Sequence, residues 1–418
     1  MNKSLVPKIR FKGFNDEWKK YKLNDIGFFF RGLYKKTKAD FEINNSNFYY
    51  VTYTNIYNNS FIKIDSLKYV NINNNEKQNR LIKGDILFTM TSETYNEVGI
   101  CSIFISDIDN VYLNSFCSGF RIINIKAINS IFLLFLLLSI QYREKIIKMA
   151  NGFTRYNLSK KLLLNLQVKI PNIIQQNKIA DFFTIIDRKI ELIKEQLILL
   201  EKQKQYYLNN MFANEKSYPK IRFKGFNDFY YKTTFNKFYN KGKSGGTPST
   251  KNKDFYNGEI SFLSIKDVTN QGKYIFETEK TITKKGLKNS SAWLVPKNSL
   301  IYSIYASVGF PTINKIPLAT SQAFFSMEIN NLYFSTEYLY YLLLKFKKKE
   351  LNKFIIKQTQ PNLSKEIINQ FIFKIPSLQE QTKIAHFFTI IDRKIELIKE
   401  QLNLLEKQKQ YYLNNMFI

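Results

Sequence analysis

The sequence predicts an α+β protein: two globular domains separated by a pair of long antiparallel coiled-coil helices, with an internal pseudo-twofold repeat. Three observations predict it. PKIRFKGFND at Pro7–Asp16 recurs letter for letter at Pro219–Asp228. The stretch Phe182–Phe212 returns as Phe387–Phe417, with Ile198 replaced by Asn403 as its one change. Between these copies lie Trp18–Ala150 and Tyr230–Ile356, which share few letters. A constant frame around two dissimilar inserts describes one scaffold holding two different readers, and repetition of this kind decides the architecture before any local reading.

The segment order divides the chain into four parts. Residues 1–150 form a first variable domain with the lead 7–16, and residues 151–215 a central repeated region with a helix at about 175–212. Residues 216–356 form a second variable domain with the lead 219–228, and residues 357–418 a distal repeated region with a helix at about 380–417.

Within the variable domains, aromatic and β-branched runs bounded by turn residues read as strands. Examples are Phe48–Ile64, GDILFTM at Gly84–Met90, GEISFLSIKDV at Gly258–Val268 and NSLIYSIYASVG at Asn298–Gly309. Each domain closes in a helix-like stretch, Ser130–Met149 and Ser335–Ile356.

The repeated regions change period. Apolar residues step by four and three through Ile179, Phe183, Ile186, Ile190, Ile193, Leu197 and Leu200, with Lys204 interrupting before Tyr207 and Met211. The second copy runs Ile384, Phe388, Ile391, Ile395, Ile398, Leu402 and Leu405. This is a coiled-coil seam. Two near-identical stripes in one chain bury each other most economically. The spacing alone does not fix direction, but a pseudo-twofold relation between the halves requires antiparallel pairing.

Composition points to the partner. Lys plus Arg number 63 against 34 acidic residues, a formal charge of +29. Such an excess repels itself unless a polyanion neutralises it, so nucleic acid or an anionic membrane is the expected partner, with nucleic acid favoured. The most apolar run, Ile131–Ile140, has half the roughly 20 residues a spanning helix needs and reads as a buried helix. The N-terminus has no signal-peptide core, and Cys101 and Cys117 form no CxxC pair, so a cytoplasmic protein with neither disulfide nor metal is expected.

No catalytic constellation emerges. Gly242–Lys243–Ser244 lacks the earlier glycine of a phosphate-binding loop, since that position is Lys237. The single histidine, His386, corresponds to Asp181 in the other copy. Asp65, Asp85, Asp107 and Asp109 lie in turn-like stretches with no recognisable metal-site spacing and read as turn formers. The chain is expected to be no enzyme and to carry no cofactor of its own.

Arginine is scarce, nine of the 63 basic residues. Arg31, Arg80, Arg121 and Arg143 lie in Trp18–Ala150 and none in Tyr230–Ile356, so the second domain is expected to read through Lys, Asn, Gln, Ser and Thr and to favour A·T pairs. Candidate base readers in the first domain are Thr52, Thr54, Asn55, Asn58, Thr89, Thr91, Ser92 and Asn114. In the second they are Lys243, Ser244, Thr247, Lys266, Asn270, Ser303, Tyr305, Ser307 and Gln322. Asn157–Ser159 and Asn362–Ser364 (both NLS) read as helix starts, and Gly245, Gly246 and Pro248 as a turn.

Taken together, several segments resemble one family. The two NLS triplets are each followed by a short strand ending in proline, QVKIP at Pro171 and IFKIP at Pro376. QQNKIADFFTIID and QEQTKIAHFFTIID then lead into the long helices. The second half adds GGTPS (Gly245–Ser249), Gly309–Phe310 and TSQAF (Thr320–Phe324). The first half has FFFRGLYKKT where GGTPS would fall, and Gln175–Gln176–Asn177 blurs its EQ pair.

The chain resembles the DNA-specificity (S) subunits of type I restriction-modification systems over nearly its whole length. The resemblance implies two target-recognition domains, each reading half of a bipartite asymmetric site in double-stranded DNA, with helices that set the gap and dock methyltransferase (M) subunits, two of them. S-adenosylmethionine would belong to those partners, and ATP and Mg to any restriction (R) subunit. A stand-alone two-headed DNA-binding regulator and a non-DNA coiled-coil structural protein are the alternatives.

Overall fold

The computed structural model describes residues 6–41, 45–73, 75–213, 217–305, 307–349, 351 and 363–418, and separates into two units, Met1–Glu195 with Lys399–Ile418 and Gln196–Ile398.

The main strands of the first unit are β1 (Lys19–Lys22), β2 (Gly27–Arg31), β3 (Tyr49–Val51), β4 (Ile86–Thr89), β5 (Thr91–Ser92), β6 (Cys101–Ile103), β7 (Val111–Leu113), β8 (Cys117–Ile122), β9 (Ala150–Asn151), β10 (Tyr156–Leu158) and β11 (Gln167–Ile170). Helices α1 (Tyr53–Asn58), α2 (Ser130–Leu138) and α3 (Ile140–Lys148) accompany them, and the long helix α4 (Ile173–Asn210) begins here. The central sheet is antiparallel in the order β2-β8-β4-β6, β3 pairs in parallel with β7, and β10 lies between β9 and β5. Every residue from Phe132 to Leu137 is fully buried, so the most apolar run of the chain is a core helix. Among the described residues no helix is long and apolar enough to cross a membrane.

In the second unit the main strands are β12 (Tyr231–Thr234), β13 (Tyr239–Ser244), β14 (Tyr256–Leu263), β15 (Tyr274–Ile275), β16 (Leu300–Ser303), β17 (Pro311–Asn314), β18 (Phe324–Ile329) and β19 (Ile372–Ile375). Helices are α5 (Ile265–Gln271), α6 (Thr336–Lys349) and the long α7 (Leu378–Asn415). Its central sheet runs β13-β18-β16-β17-β15, antiparallel except for β17 with β15.

The repeated letters build the same frame in each unit. β1 pairs with β11 and β12 with β19. The lead segments cap helix ends that would otherwise hold free carbonyls: Ile9 N–H donates to Asn415 O (3.0 Å) in the first unit, and Ile221 N–H to Asn210 O (3.0 Å) in the second. Phe11 packs edge-on to Phe182, and Phe223 edge-on to Phe387. Arg222 forms a two-pronged pair with Glu380 (3.0 and 2.7 Å), to which Tyr230 also donates. In the first copy Arg10 reaches Gln175 Oε1 at 3.4 Å instead.

In both units the long helices pack antiparallel, rising numbers on α4 meeting falling numbers on α7. The first unit pairs Phe182 with Tyr412 and Lys194 with Glu406, and the second pairs Tyr207 with Phe387 and Lys204 with Asp392. Of the seam residues, Ile179, Phe183, Ile186, Ile190, Ile193, Leu200, Ile384, Phe388, Ile391, Ile398 and Leu405 are buried, while Leu197, Ile395 and Leu402 are half-buried.

Four expectations change in detail. Ser130–Met149 is two helices, broken where Ser139 adopts extended backbone (ψ 152°) and its hydroxyl donates to Leu136 O. Helix α6 covers the start of the Ser335–Ile356 stretch, whose end lies outside the described residues. Asn157 and Leu158 belong to strand β10, and Ser159 stands at the N-terminus of the short helix Lys160–Leu164 without a side-chain cap bond; Ser364 does cap Lys365–Asn369, accepting from Ile367 N–H, while Asn362 lies outside the described residues. Lys204 does not break the seam but closes it with an ion pair to Asp392.

Candidate nucleic-acid interface

One end of the central sheet in the second unit gathers most of its candidate readers. Ser244 ends β13 opposite Phe325, and Ser303 ends β16 opposite Phe324. Beyond Ser244 the chain turns tightly back, with Gly245 N–H on Phe324 O (3.1 Å) and Gly246 N–H on Thr320 O (2.9 Å). A Cβ at Gly245 would sit 2.0 Å from Thr320 O, so only glycine permits this approach. The turn brings Thr247 to Gln322, hydroxyl to amide oxygen at 2.6 Å, and Tyr305 N–H reaches Ala323 O nearby. Thr247, Tyr305, Ser307 and Gln322 are exposed there, as is Lys243. Ser303 is fully buried and cannot reach a base edge in this conformation. Lys266 and Asn270 are exposed on α5, where Lys266 pairs with Glu279.

The first unit repeats this corner with different side chains. Gly32 N–H donates to Cys117 O and Leu33 N–H to Leu113 O, and a Cβ at Gly32 would meet Asn114 O at 2.1 Å. Gly32 thus stands where Gly245 stands in the other unit, and Arg31, at the end of β2, stands where Ser244 does. The Arg31 guanidinium lies 3.5 Å from the Tyr34 ring centre. Burial lowers the pKa of Lys160, and the charge of Arg31 adds to that. Thr91 pairs with Asn157 on β10, and Phe116, 55% exposed, has the Arg155 guanidinium 5.9 Å from its ring.

Several first-domain candidates are occupied with the fold. Asn55 is buried, its amide bridging to Lys63 O and accepting from Lys63 N–H. Thr52 caps α1, and Thr89 and Ser92 are buried, Thr89 donating to the carbonyls of Glu97 and Ile100. Asn114 shapes the turn by accepting from Phe116 N–H. Thr54 and Asn58 remain exposed, and Thr91 is half-buried beside the corner.

Two of the four first-domain arginines are likewise spoken for: Arg121 grips buried Asp85 at 2.8 and 2.7 Å, and Arg143 donates to Asn96 O and Val98 O. Arg31, Phe116 and Arg155, which are not among the sequence candidates, stand at the same corner. Aligning FRGL (Phe30–Leu33) with KSGG (Lys243–Gly246) on the first glycine beyond each strand places Arg31 opposite Ser244. Among the described residues no group of three or more His, Cys, Asp or Glu could hold a metal ion, and His386 is exposed.

The helices carry a second pattern. In the first unit Ile185, Leu192, Leu404 and Tyr411 are about half exposed or more, and in the second Leu199, Tyr206, Ile390 and Leu397 are too. Each set keeps seven-residue spacing outside the seam, so it is an apolar face that the helix pair itself leaves open.

Each variable domain thus carries a glycine-tightened corner with exposed basic and aromatic side chains on a duplicated frame. The sequence matches the type I restriction modification DNA specificity domain twice, over residues 15–202 and 212–407, and the chain belongs to that family, with two target-recognition domains. It is 35% identical over 179 residues to the specificity subunit of the type I restriction enzyme MjaIX of Methanocaldococcus jannaschii, covering 42% of this chain and 40% of that protein. To the MjaVIII specificity subunit of the same organism it is 22% identical over 296 residues, 67% of this chain and 68% of that one. The fold is shared with the S subunit of a type I system from M. genitalium (TM-score 0.61, 14% identity, 99% of both chains). It is also shared with a chain from a structure on complex assembly and conformational transition of the type I R-M system (TM-score 0.54, 15% identity, 95% of this chain and 96% of that one).

Proposed function

We propose that this chain is the non-catalytic DNA-specificity subunit of a cytoplasmic type I restriction-modification complex, each variable domain reading one half of a bipartite asymmetric site. The repeated corner carries this reading: the same glycine-tightened turn at the same sheet end presents Arg31, Thr91 and Phe116 in one unit and Thr247, Tyr305 and Gln322 in the other. Identical framing with dissimilar side chains suits two different half-sites. Surface lysines supply phosphate contacts that position the duplex without reading it, while the corner residues reach base edges.

The long helices set the number of unread base pairs between the half-sites. Their exposed heptad residues, present in each unit, offer docking faces for two methyltransferase subunits, which bring S-adenosylmethionine; any restriction subunit brings ATP and Mg. Selection from a random duplex pool by the chain bound to its methyltransferase tests the reading. The expected product is one two-part motif with a fixed gap; enrichment of no motif contradicts it.

A further inference from the structure

Phe153 is the most exposed large apolar side chain in the described part of the molecule, at 99% of its free surface. It sits at the tip of the hairpin between β9 and β10, where Ala150 pairs with Leu158 and Asn151 with Asn157. The turn is tight rather than slack. Gly152 has φ +128°, and a Cβ there would lie 2.0 Å from Arg155 O, so glycine alone lets the tip fold back and thrust the next residue outward. The hairpin is tied to the corner already described, since β10 pairs with β5 and Arg155 approaches the Phe116 ring. An isolated apolar ring in water is a cost the fold gains nothing from. Its surroundings are basic: Arg155 follows two residues on, with Glu93 at 3.9 Å as its one ion-pair partner among the described residues, and Arg31 stands with Lys160 at the same corner.

Resting on the specificity reading, we infer that Phe153 is a wedge that enters the duplex between two base pairs of the first half-site. Apolar side chains carried on a basic surface insert between base steps, unstack them and kink the helix. The hairpin supplies reach, Arg155 holds the adjacent phosphate, and Asn157 and Thr91 lie behind the tip to meet the edges of the opened step. Unstacking makes the first half-site prefer a soft pyrimidine–purine step at that position.

The test uses the full chain with its methyltransferase partner and a duplex bearing the site that the complex methylates, with 2-aminopurine placed at successive first-half positions. Wild type is expected to raise 2-aminopurine fluorescence at one step only. Phe153→Ala should abolish that rise and weaken binding about 5- to 140-fold, the range for losing one base–aromatic stack, while Phe153→Trp should keep both. An unchanged fluorescence rise and affinity in Phe153→Ala overturns the wedge and leaves the specificity reading intact. Loss of methyltransferase co-purification in Phe153→Ala with duplex binding intact overturns it in favour of a protein contact. Wild type with no preference for the methylated site over a scrambled duplex overturns the specificity reading and the wedge with it.

Discussion

Lys204 Nζ lies 2.5 Å from Asp392 Oδ1 in the second unit, and Lys409 makes the same pair with Asp187 in the first. Both lysines stand at polar positions along the apolar seam and both partners sit on the opposing helix, with side chains less than a quarter exposed. A polar group at a seam position specifies register and direction. Here it selects antiparallel packing, because only that direction sets each lysine against the aspartate of the other copy.

Asp392→Lys should therefore lower stability by about 1–3 kcal/mol, the range for losing a partly buried charged hydrogen bond. The exchange Lys204→Asp with Asp392→Lys should recover most of it. A double-mutant cycle in urea reads the coupling, and additive losses would show that the pair contributes no register.

The lead segments allow a comparison within one molecule. Glu380 is buried and holds Arg222 at two points, whereas Arg10 meets the neutral Gln175 amide and the Asp16 carbonyl, and its Nε is buried without a hydrogen-bond partner. Gln175→Glu should stabilise the first unit by about 1 kcal/mol, and Glu380→Gln should destabilise the second by about 2–3 kcal/mol. Amide hydrogen exchange, resolved by unit, checks both signs.

Burial pushes the thiols of Cys101 and Cys117 up to about 12 from an ordinary value of 9.0. The folded protein keeps its protons where the unfolded chain has lost them, so these groups contribute stability below pH 9 that drains away as pH rises from about 9 to 12. Unfolding midpoints should fall across that window, and less steeply in Cys101→Ala. At neutral pH both thiols should resist iodoacetamide until the protein unfolds.

Specificity and stability should separate among the arginines. Arg31→Ala should cost about 1–3 kcal/mol at one base position of the first half-site and leave the second half unchanged. Arg121→Ala should lower thermal stability, because it strands buried Asp85. The second half-site, read without arginine, should be richer in A·T; a half-site of G·C pairs alone would refute that.

How much of this was legible in the letters depends on range. The repeat and the heptad fixed two domains and paired helices, because both signals are local and periodic. The resemblance supplied the DNA, and the glycine turn at Gly245–Gly246 showed itself by residue type. What stayed hidden is set by long-range packing. Nothing near Thr89 or Ser303 says that a central strand turns each inward, and nothing near Arg121 says that Asp85, 36 residues earlier, consumes it. Gln176 and Gln381 look alike in sequence, but only the fold shows each pinning the start of its own domain's helix segment, to Asn129 N–H and Ser335 N–H.

Removing seven residues from each long helix, about 10 Å of rise, should change the count of unread base pairs by about three at 3.4 Å each. The bases recognised on either side should stay the same, as sequencing of selected duplexes would show.

The most direct measurement is a genome-wide map of methylated adenines in cells with and without this gene. Two dissimilar half-sites separated by a constant gap, lost together when the gene is removed, is the predicted result. A contiguous motif, or a methylation pattern indifferent to the gene, would contradict the account.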